Sequence, residues 1–334
     1  MTVRPVQRVC WAALVTAVVV TTGVARADVP RPGRAGSVVQ QSAADGARAA
    51  APTASDGYAL LIADNMSKRV LITDFEGNII WQWKNPTGLS SAYAGPIAVR
   101  WVRAGRILAT FGTGEVGELD VATKTWAWKT KGFGGTYFHS PYDAQYLPDG
   151  NLAVLTKYDE GGRVAVYRRS TGRLVWSVRV RSAHAMLYRS PKVSWGTGLP
   201  TIIVGGRGAI EEFSYRPGHT PKLVWRTATR LSHDLVAAGG STLLSQDGTY
   251  LRRFRHTGPN LWREPMEGKA RRLVVNPAQP RQLVLAGGSK NNIQFRRLSD
   301  GSLIRQWSRL SDGTRLDWPY GLRVIPMRQV LDVA

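Results

Sequence analysis

Between Tyr137 and Arg179 the apolar positions fall into four short runs, YDAQYL, NLAVLTK, RVAVYRR and LVWSVR, rich in β-branched and aromatic residues. Turn sequences separate them: Pro148-Asp149-Gly150, Asp159-Glu160-Gly161-Gly162 and Ser170-Thr171-Gly172. Runs of this length joined by turns this tight predict one four-stranded meander sheet. A sheet of this kind has two apolar faces and cannot bury them alone, so further copies should pack beside it.

The last run of the unit, a turn followed by branched aliphatics and Trp, is the easiest landmark for those copies. It recurs as EGNIIWQW ending at Trp83, ATKTWAW at Trp128, TGRLVW at Trp176, TPKLVW at Trp225, GPNLW at Trp262 and DGSLIRQW at Trp307. The spacing of roughly 37 to 50 residues is close to the period of propeller blades. One such Trp could be incidental core packing, whereas six in series mark a repeat. The first cycle, GYALLIADNMSKRVLITDFEGNIIWQW, holds only three strands, and the chain ends with a spare one, YGLRVIP. A missing strand at one end and a surplus at the other predict circular closure, with Tyr320 to Pro326 completing the sheet begun at Tyr58 and leaving no exposed edge around the ring. The fold expected is therefore all-β, a six-bladed β-propeller over residues 56–334, with seven blades the second choice. The final MRQVLDVA is expected to be an added strand or a tail.

The N-terminal stretch stands outside this pattern. Arg4 and Arg8 precede an apolar run from Val9 to Val24, and Ala25-Arg26-Ala27 presents small residues where a signal peptidase reads, so residues 1–27 are expected to form an export signal cleaved before Asp28. The apolar run is shorter than the about 20 residues that a spanning helix needs. Residues 28–55, rich in Ala, Pro, Gly, Ser and Arg without periodicity, read as a flexible linker. The expected product is a secreted, extracellular monomer. Cys10 is the only cysteine, so the mature protein has no disulfide, thiol nucleophile or thiolate metal site. The formal charge is +22; residues 1–55 carry six Arg and two Asp, which leaves +18 for the remainder. A field of that size attracts polyanions.

The repeat with its TGxLVW ending resembles the quinoprotein-like (PQQ-like) β-propeller superfamily. DNMSKRVLITDFEGNI resembles an NHL-type repeat, and HSPYDAQYLPDGNLAV is similar to the repeat of bacterial arylsulfotransferases. The resemblance spans roughly Asp56 to Pro326. It implies that the first strand of each blade lines a central channel and that the segment leading into it opens on the ligand-binding face.

Those leading segments read YAGPIAV, FHSPYDAQYL, SAHAMLY, LSHDLVA, KARRLVV and DWPYGLRV. Three of the five His residues, His139, His184 and His233, lie in three consecutive ones, beside Tyr93, Tyr142, Asp143, Asp234, Arg271, Arg272, Trp318 and Tyr320. Converging on one funnel, these side chains could bind an anionic or aromatic ligand, with Arg making bidentate contacts to sulfate, phosphate or carboxylate. The same groups could equally hold neighbouring loops together through hydrogen bonds. The arylsulfotransferase resemblance implies an enzymatic alternative in which His233 is the nucleophile, His233-Asp234 is the family's His-Asp element, and Arg271 or Arg272 clamps the sulfate.

Other chemistries find little support. A PQQ dehydrogenase would need a calcium site beside its cofactor, no such ligand cluster is legible, and its vicinal cysteine pair is excluded; no cofactor is expected. The His residues lack the close-spaced partners of a metal site, so none is expected. The Trp residues follow the blade period instead of forming a stacking groove, which argues against nucleic acid. Arg168, Arg169, Arg252, Arg253, Arg255, Arg296 and Arg297 cluster near the ends of third strands, where solvated surface is the simplest expectation. The function expected is a secreted binding module for an anionic glycan or cell-wall polymer, or for a small anionic or aromatic ligand, with an arylsulfotransferase-like enzyme and a protein-interaction scaffold as alternatives.

Overall fold

The computed structural model describes residues 57–333 apart from 87–93, 104, 159–160, 182, 192–197, 239–241, 248, 257–259, 267 and 288–289. The expected signal, linker and Tyr93 lie outside the described residues. Blade one contains β1 (Tyr58–Asp64), β2 (Arg69–Thr73) and β3 (Ile79–Lys84). Blade two contains β4 (Pro96–Arg103), β5 (Arg106–Phe111), β6 (Val116–Asp120) and β7 (Thr125–Thr130), and is followed by a small hairpin, β8 (Gly132–Phe133) and β9 (Thr136–Tyr137). Blade three holds β10 (Pro141–Tyr146), β11 (Leu152–Tyr158), β12 (Gly161–Tyr167) and β13 (Leu174–Val180). Blade four holds β14 (Ala185–Arg189), β15 (Thr201–Gly205), β16 (Arg207–Ser214) and β17 (Leu223–Leu231). Blade five comprises β18 (Leu235–Ala237), β19 (Thr242–Asp247), β20 (Tyr250–Arg255) and β21 (Asn260–Pro265). Blade six comprises β22 (Arg272–Val275), β23 (Gln282–Gly287), β24 (Asn292–Arg297) and β25 (Leu303–Trp307).

The last strand, β26 (Pro319–Pro326), returns to blade one and pairs antiparallel with β1 from Tyr58↔Pro326 to Asp64↔Pro319. Closure is thus made by the C-terminal strand, as the three-stranded first cycle requires. The ring has six blades, not seven, and the inner strands β26, β4, β10, β14, β18 and β22 neighbour one another around the axis. Neither a strand nor a tail follows. Met327–Leu331 forms a short helix, α1, whose Met327 and Val330 are buried against blades one and two.

Burial along each blade follows from this stacking. The second strands are covered on both faces by adjacent blades, so β23 is buried at every position and β1 at every position after Tyr58. Outer strands have one face in solvent and alternate: in β3, Trp81 and Trp83 are buried while Gln82 and Lys84 are exposed. The turn at Pro148-Asp149-Gly150 closes because Gly150 takes φ 78°, and the Asp149 carboxylate accepts the Asn151 amide at 3.1 Å.

Outer-strand tryptophans also tie blade to blade. The indole of Trp81 donates to the Val121 carbonyl at 2.8 Å, Trp262 to Leu298 at 3.1 Å, and Trp307 to Phe75 at 2.9 Å. The last of these joins blade six to blade one. Each neutral bond contributes about 1 kcal/mol beyond the burial of the ring. Of the third-strand arginines, Arg168, Arg169, Arg255 and Arg297 are exposed, as expected of solvated strand ends, whereas the others are drawn inward. Arg252 and Arg296 are buried, Arg253 donates to the Ala238 carbonyl at 3.0 Å, and Arg169 pairs with Glu118 at 3.0 Å. Their long stems cover apolar surface between blades while the heads reach carbonyls and carboxylates.

Candidate functional site

The leading segments meet at one end of the axis. Tyr142 and Tyr320 each follow a proline, in Ser140-Pro141-Tyr142 and Trp318-Pro319-Tyr320, and their rings lie 6.3 Å apart edge to face. The residues before the two prolines, Ser140 and Trp318, both take positive φ, 41° and 60°. For a residue as bulky as Trp this is a strained conformation of the kind that persists at ligand sites. Trp318 is held there by its amide donating to Asn291 Oδ1 at 2.9 Å.

His184 packs edge to face on Tyr142 at 5.1 Å and on His233 at 4.6 Å. Arg271 Nη1 lies 3.1 Å from Nδ1 and 2.9 Å from Nε2 of His233. These nitrogens point away from each other around the ring, so an atom almost equally near both sits over the ring face and not on either lone pair. The same guanidinium covers Tyr320 at 4.8 Å and Trp318 at 5.7 Å, and Lys157 Nζ stands 5.6 Å from the Tyr142 ring centre. Neither Arg271 nor Lys157 has a carboxylate partner among the described residues.

Burial, reinforced by Lys157 and Arg271, holds His184 down to about 3. Burial, then Arg271, lowers His233 to about 2, and burial pushes Tyr320 up to about 12. The imidazoles and this phenol are therefore neutral at neutral pH, and the fixed charge of the mouth comes from Arg271 and Lys157. His184 Nδ1 is buried without a hydrogen-bond partner among the described residues.

Beneath the mouth lies a layer of ions. Asp143, fully buried, accepts Arg100 Nε at 3.2 Å and Nη2 at 2.8 Å together with the Met186 amide at 3.3 Å. Asp234 accepts Arg272 Nη1 at 3.2 Å and the Leu273 amide at 2.9 Å. Arg272, 1% exposed, also faces Asp143 at 3.7 Å and donates to the Tyr142 carbonyl at 2.8 Å, reaching from blade six to blade three. Burial opposes its charge, but the two carboxylates outweigh burial and raise its pKa.

The expected site residues therefore divide. Tyr142, His184, His233, Arg271, Trp318 and Tyr320 share the mouth. Asp143, Asp234 and Arg272 pair with one another and form its floor. His139 stands exposed on the segment leading into β10. Asp234 is turned toward Arg272 and Leu273 and does not orient His233. Three participants were not anticipated: Lys157, at the upper end of β11, and Arg100 and Arg323, deeper on inner strands. Arg100 and Arg323 carried a legible signal, since Arg100 directly follows YAGPIAV and Arg323 lies within DWPYGLRV, on strands expected to line the channel.

Comparison with known proteins agrees with this architecture. Residues 160–317 match the PQQ-repeat family described as outer membrane protein assembly factor BamB. Together with the six-bladed ring, this match fits a PQQ-like β-propeller superfamily. A protein of unknown function from Bacteroides caccae superposes with a TM-score of 0.55 at 14% identity, covering 80% of this chain and 98% of the other. A functionally unknown protein from Desulfotomaculum acetoxidans gives 0.52 at 10% identity, again covering 80% and 98%. At these identities the likeness shows the fold. No curated protein sequence matches the chain. The fold supports a generic binding or scaffold module, and no helix among the described residues is long and apolar enough to cross a membrane.

Proposed function

We propose that the protein is an exported binding module whose channel mouth holds an anionic glycan or cell-wall polymer. The observation that carries this reading is the pair of cations, Arg271 and Lys157, set over aromatic faces at the mouth with no carboxylate partner among the described residues. Flat rings of Tyr142, Tyr320 and Trp318 suit the apolar faces of sugars, while the cations suit uronate, sulfate or phosphate groups. The net charge of +18 on residues 56–334 adds long-range attraction.

The test is retention of the purified protein on an immobilised polyuronate over a salt gradient. Retention at low salt, loss at moderate salt, and early elution of the Arg271→Ala, Lys157→Ala double variant support the reading. Unchanged retention by that variant sinks it. The arylsulfotransferase alternative draws on one observation, the unprotonated His233 imidazole beneath Arg271. Turnover of an aryl sulfate donor, abolished in His233→Ala and kept in His184→Ala, would replace binding by catalysis. Retention by neither polymer nor donor, with capture of a protein partner through the mouth, would favour the scaffold.

A further inference from the structure

The ion layer beneath the mouth is not balanced. Three guanidiniums, Arg100, Arg272 and Arg323, are shared between two carboxylates, Asp143 and Asp234. Arginine stays charged in proteins, so the layer carries one positive charge in excess. Arg323 is the ion left over. Its nearest carboxylate oxygen, Asp234 Oδ2, lies 3.8 Å away, and its one described hydrogen bond runs from Nη1 to the Leu322 carbonyl at 2.8 Å. Four of its five N–H donors thus have no described acceptor. The side chain is 19% exposed and that of Arg100 is 20% exposed, so both reach open space along the channel. Burial and the neighbouring Arg100 hold the Arg323 pKa down to about 10, which still leaves it charged at neutral pH. An uncompensated charge in such a place is costly unless an ion of opposite sign joins it.

We infer that the channel beneath the mouth binds one small monoanion, a halide or a carboxylate-sized group, against Arg323 with Arg100 beside it. This site stands apart from the polymer reading, because it uses a different layer and different residues. A bound monoanion completes a neutral set of three cations and three anions and gives the spare donors acceptors. Lys157 and Arg271 above draw anions down the funnel.

The test is the thermal midpoint of the purified protein titrated with sodium bromide or sodium formate, with ionic strength held constant by a bulky sulfonate salt. The midpoint is expected to rise and level off, as for a single site. Diffraction at the bromine edge is expected to show one bromide beside Arg323. In Arg323→Gln the rise disappears, and the midpoint without anion equals or exceeds that of the wild type, because the excess charge is gone; a purely structural arginine would give the opposite sign. Should the Gln variant fail to fold, Arg323→Lys keeps the charge with fewer donors and binds at least about tenfold more weakly. Arg271→Ala loses polymer retention but keeps the anion-dependent midpoint, which separates the two sites. Absence of a saturating rise in the wild type, its survival in Arg323→Gln, or bromide found only against Arg271 overturns the inference.

Discussion

Replacement of Asp143 by Asn probes the floor of the site most directly. The change is nearly isosteric, but it removes the anion that accepts two bonds from Arg100, one from the Met186 amide, and the attraction of Arg272. The new amide can accept with one atom only, and its NH2 group faces donors. Because Asp143 is fully buried, water cannot repair the loss. Removing one partner of a buried ion pair costs about 3–5 kcal/mol. In a domain of this size that lowers the thermal midpoint by on the order of 10 °C. The pH dependence supplies a second readout. Burial raises the Asp143 pKa, but Arg100, Arg272 and Arg323 together outweigh it, so the folded value lies below the ordinary 3.8. A depressed carboxylate contributes its stability fully above the unfolded pKa and loses it as pH falls through the folded one. The gap between wild type and Asp143→Asn should therefore stay constant from pH 8 to about pH 5 and close below about pH 4. Calorimetric scans across that range measure it. A loss under about 1 kcal/mol, or a gap that persists into acid, would refute the charge-based account.

Three other outcomes follow from the same geometry. The folded state keeps His184 and His233 neutral with pKa values of about 3 and about 2, whereas the unfolded chain protonates them below about 6.5. Stability should fall as pH drops below that value, by about 1.4 kcal/mol per pH unit for each histidine, and His233→Gln should remove roughly half of their combined slope in urea titrations. Deleting residues 319–334 strips β26 from β1 and exposes the Tyr58–Asp64 edge; size-exclusion chromatography and circular dichroism should show aggregation without a cooperative transition, and a monomeric folded product would contradict closure by this strand. Tyr146→Phe deletes a 2.6 Å bond to the fully buried Glu118, leaving it Arg169 at 3.0 Å and Arg103 at 3.4 Å. The expected cost is about 1.5–3 kcal/mol by chemical denaturation, and no loss would mean that the arginines alone satisfy the carboxylate.

The Trp landmarks at 83, 128, 176, 225, 262 and 307 all lie in outer strands, because a strand with one face in solvent repeats its pattern locally. The surplus strand at Tyr320–Pro326 found its partner because strand count is a property of the chain. The buried Arg252 and Arg296 were misread as solvated, since their burial depends on the adjacent blade. The C-terminal helix was missed because the stretch from Met327 is only five residues long and is held by Met327 and Val330 packing on the ring.

By itself, then, the amino-acid order determined the all-β class, the six repeats, the closing strand and the leading segments whose side chains meet at one end of the channel. These depend on local periodicity, turn residues and counting. Only the tertiary structure decided that His184, His233 and Arg271 meet while His139 stands exposed, that Asp234 turns from His233 to Arg272, and that Arg323 is left over from the ion layer. The reason is geometric: residues such as Tyr142 and Arg272, 130 positions apart, become neighbours only when the ring closes, and the balance of charge around the axis is a property of all six inner strands at once.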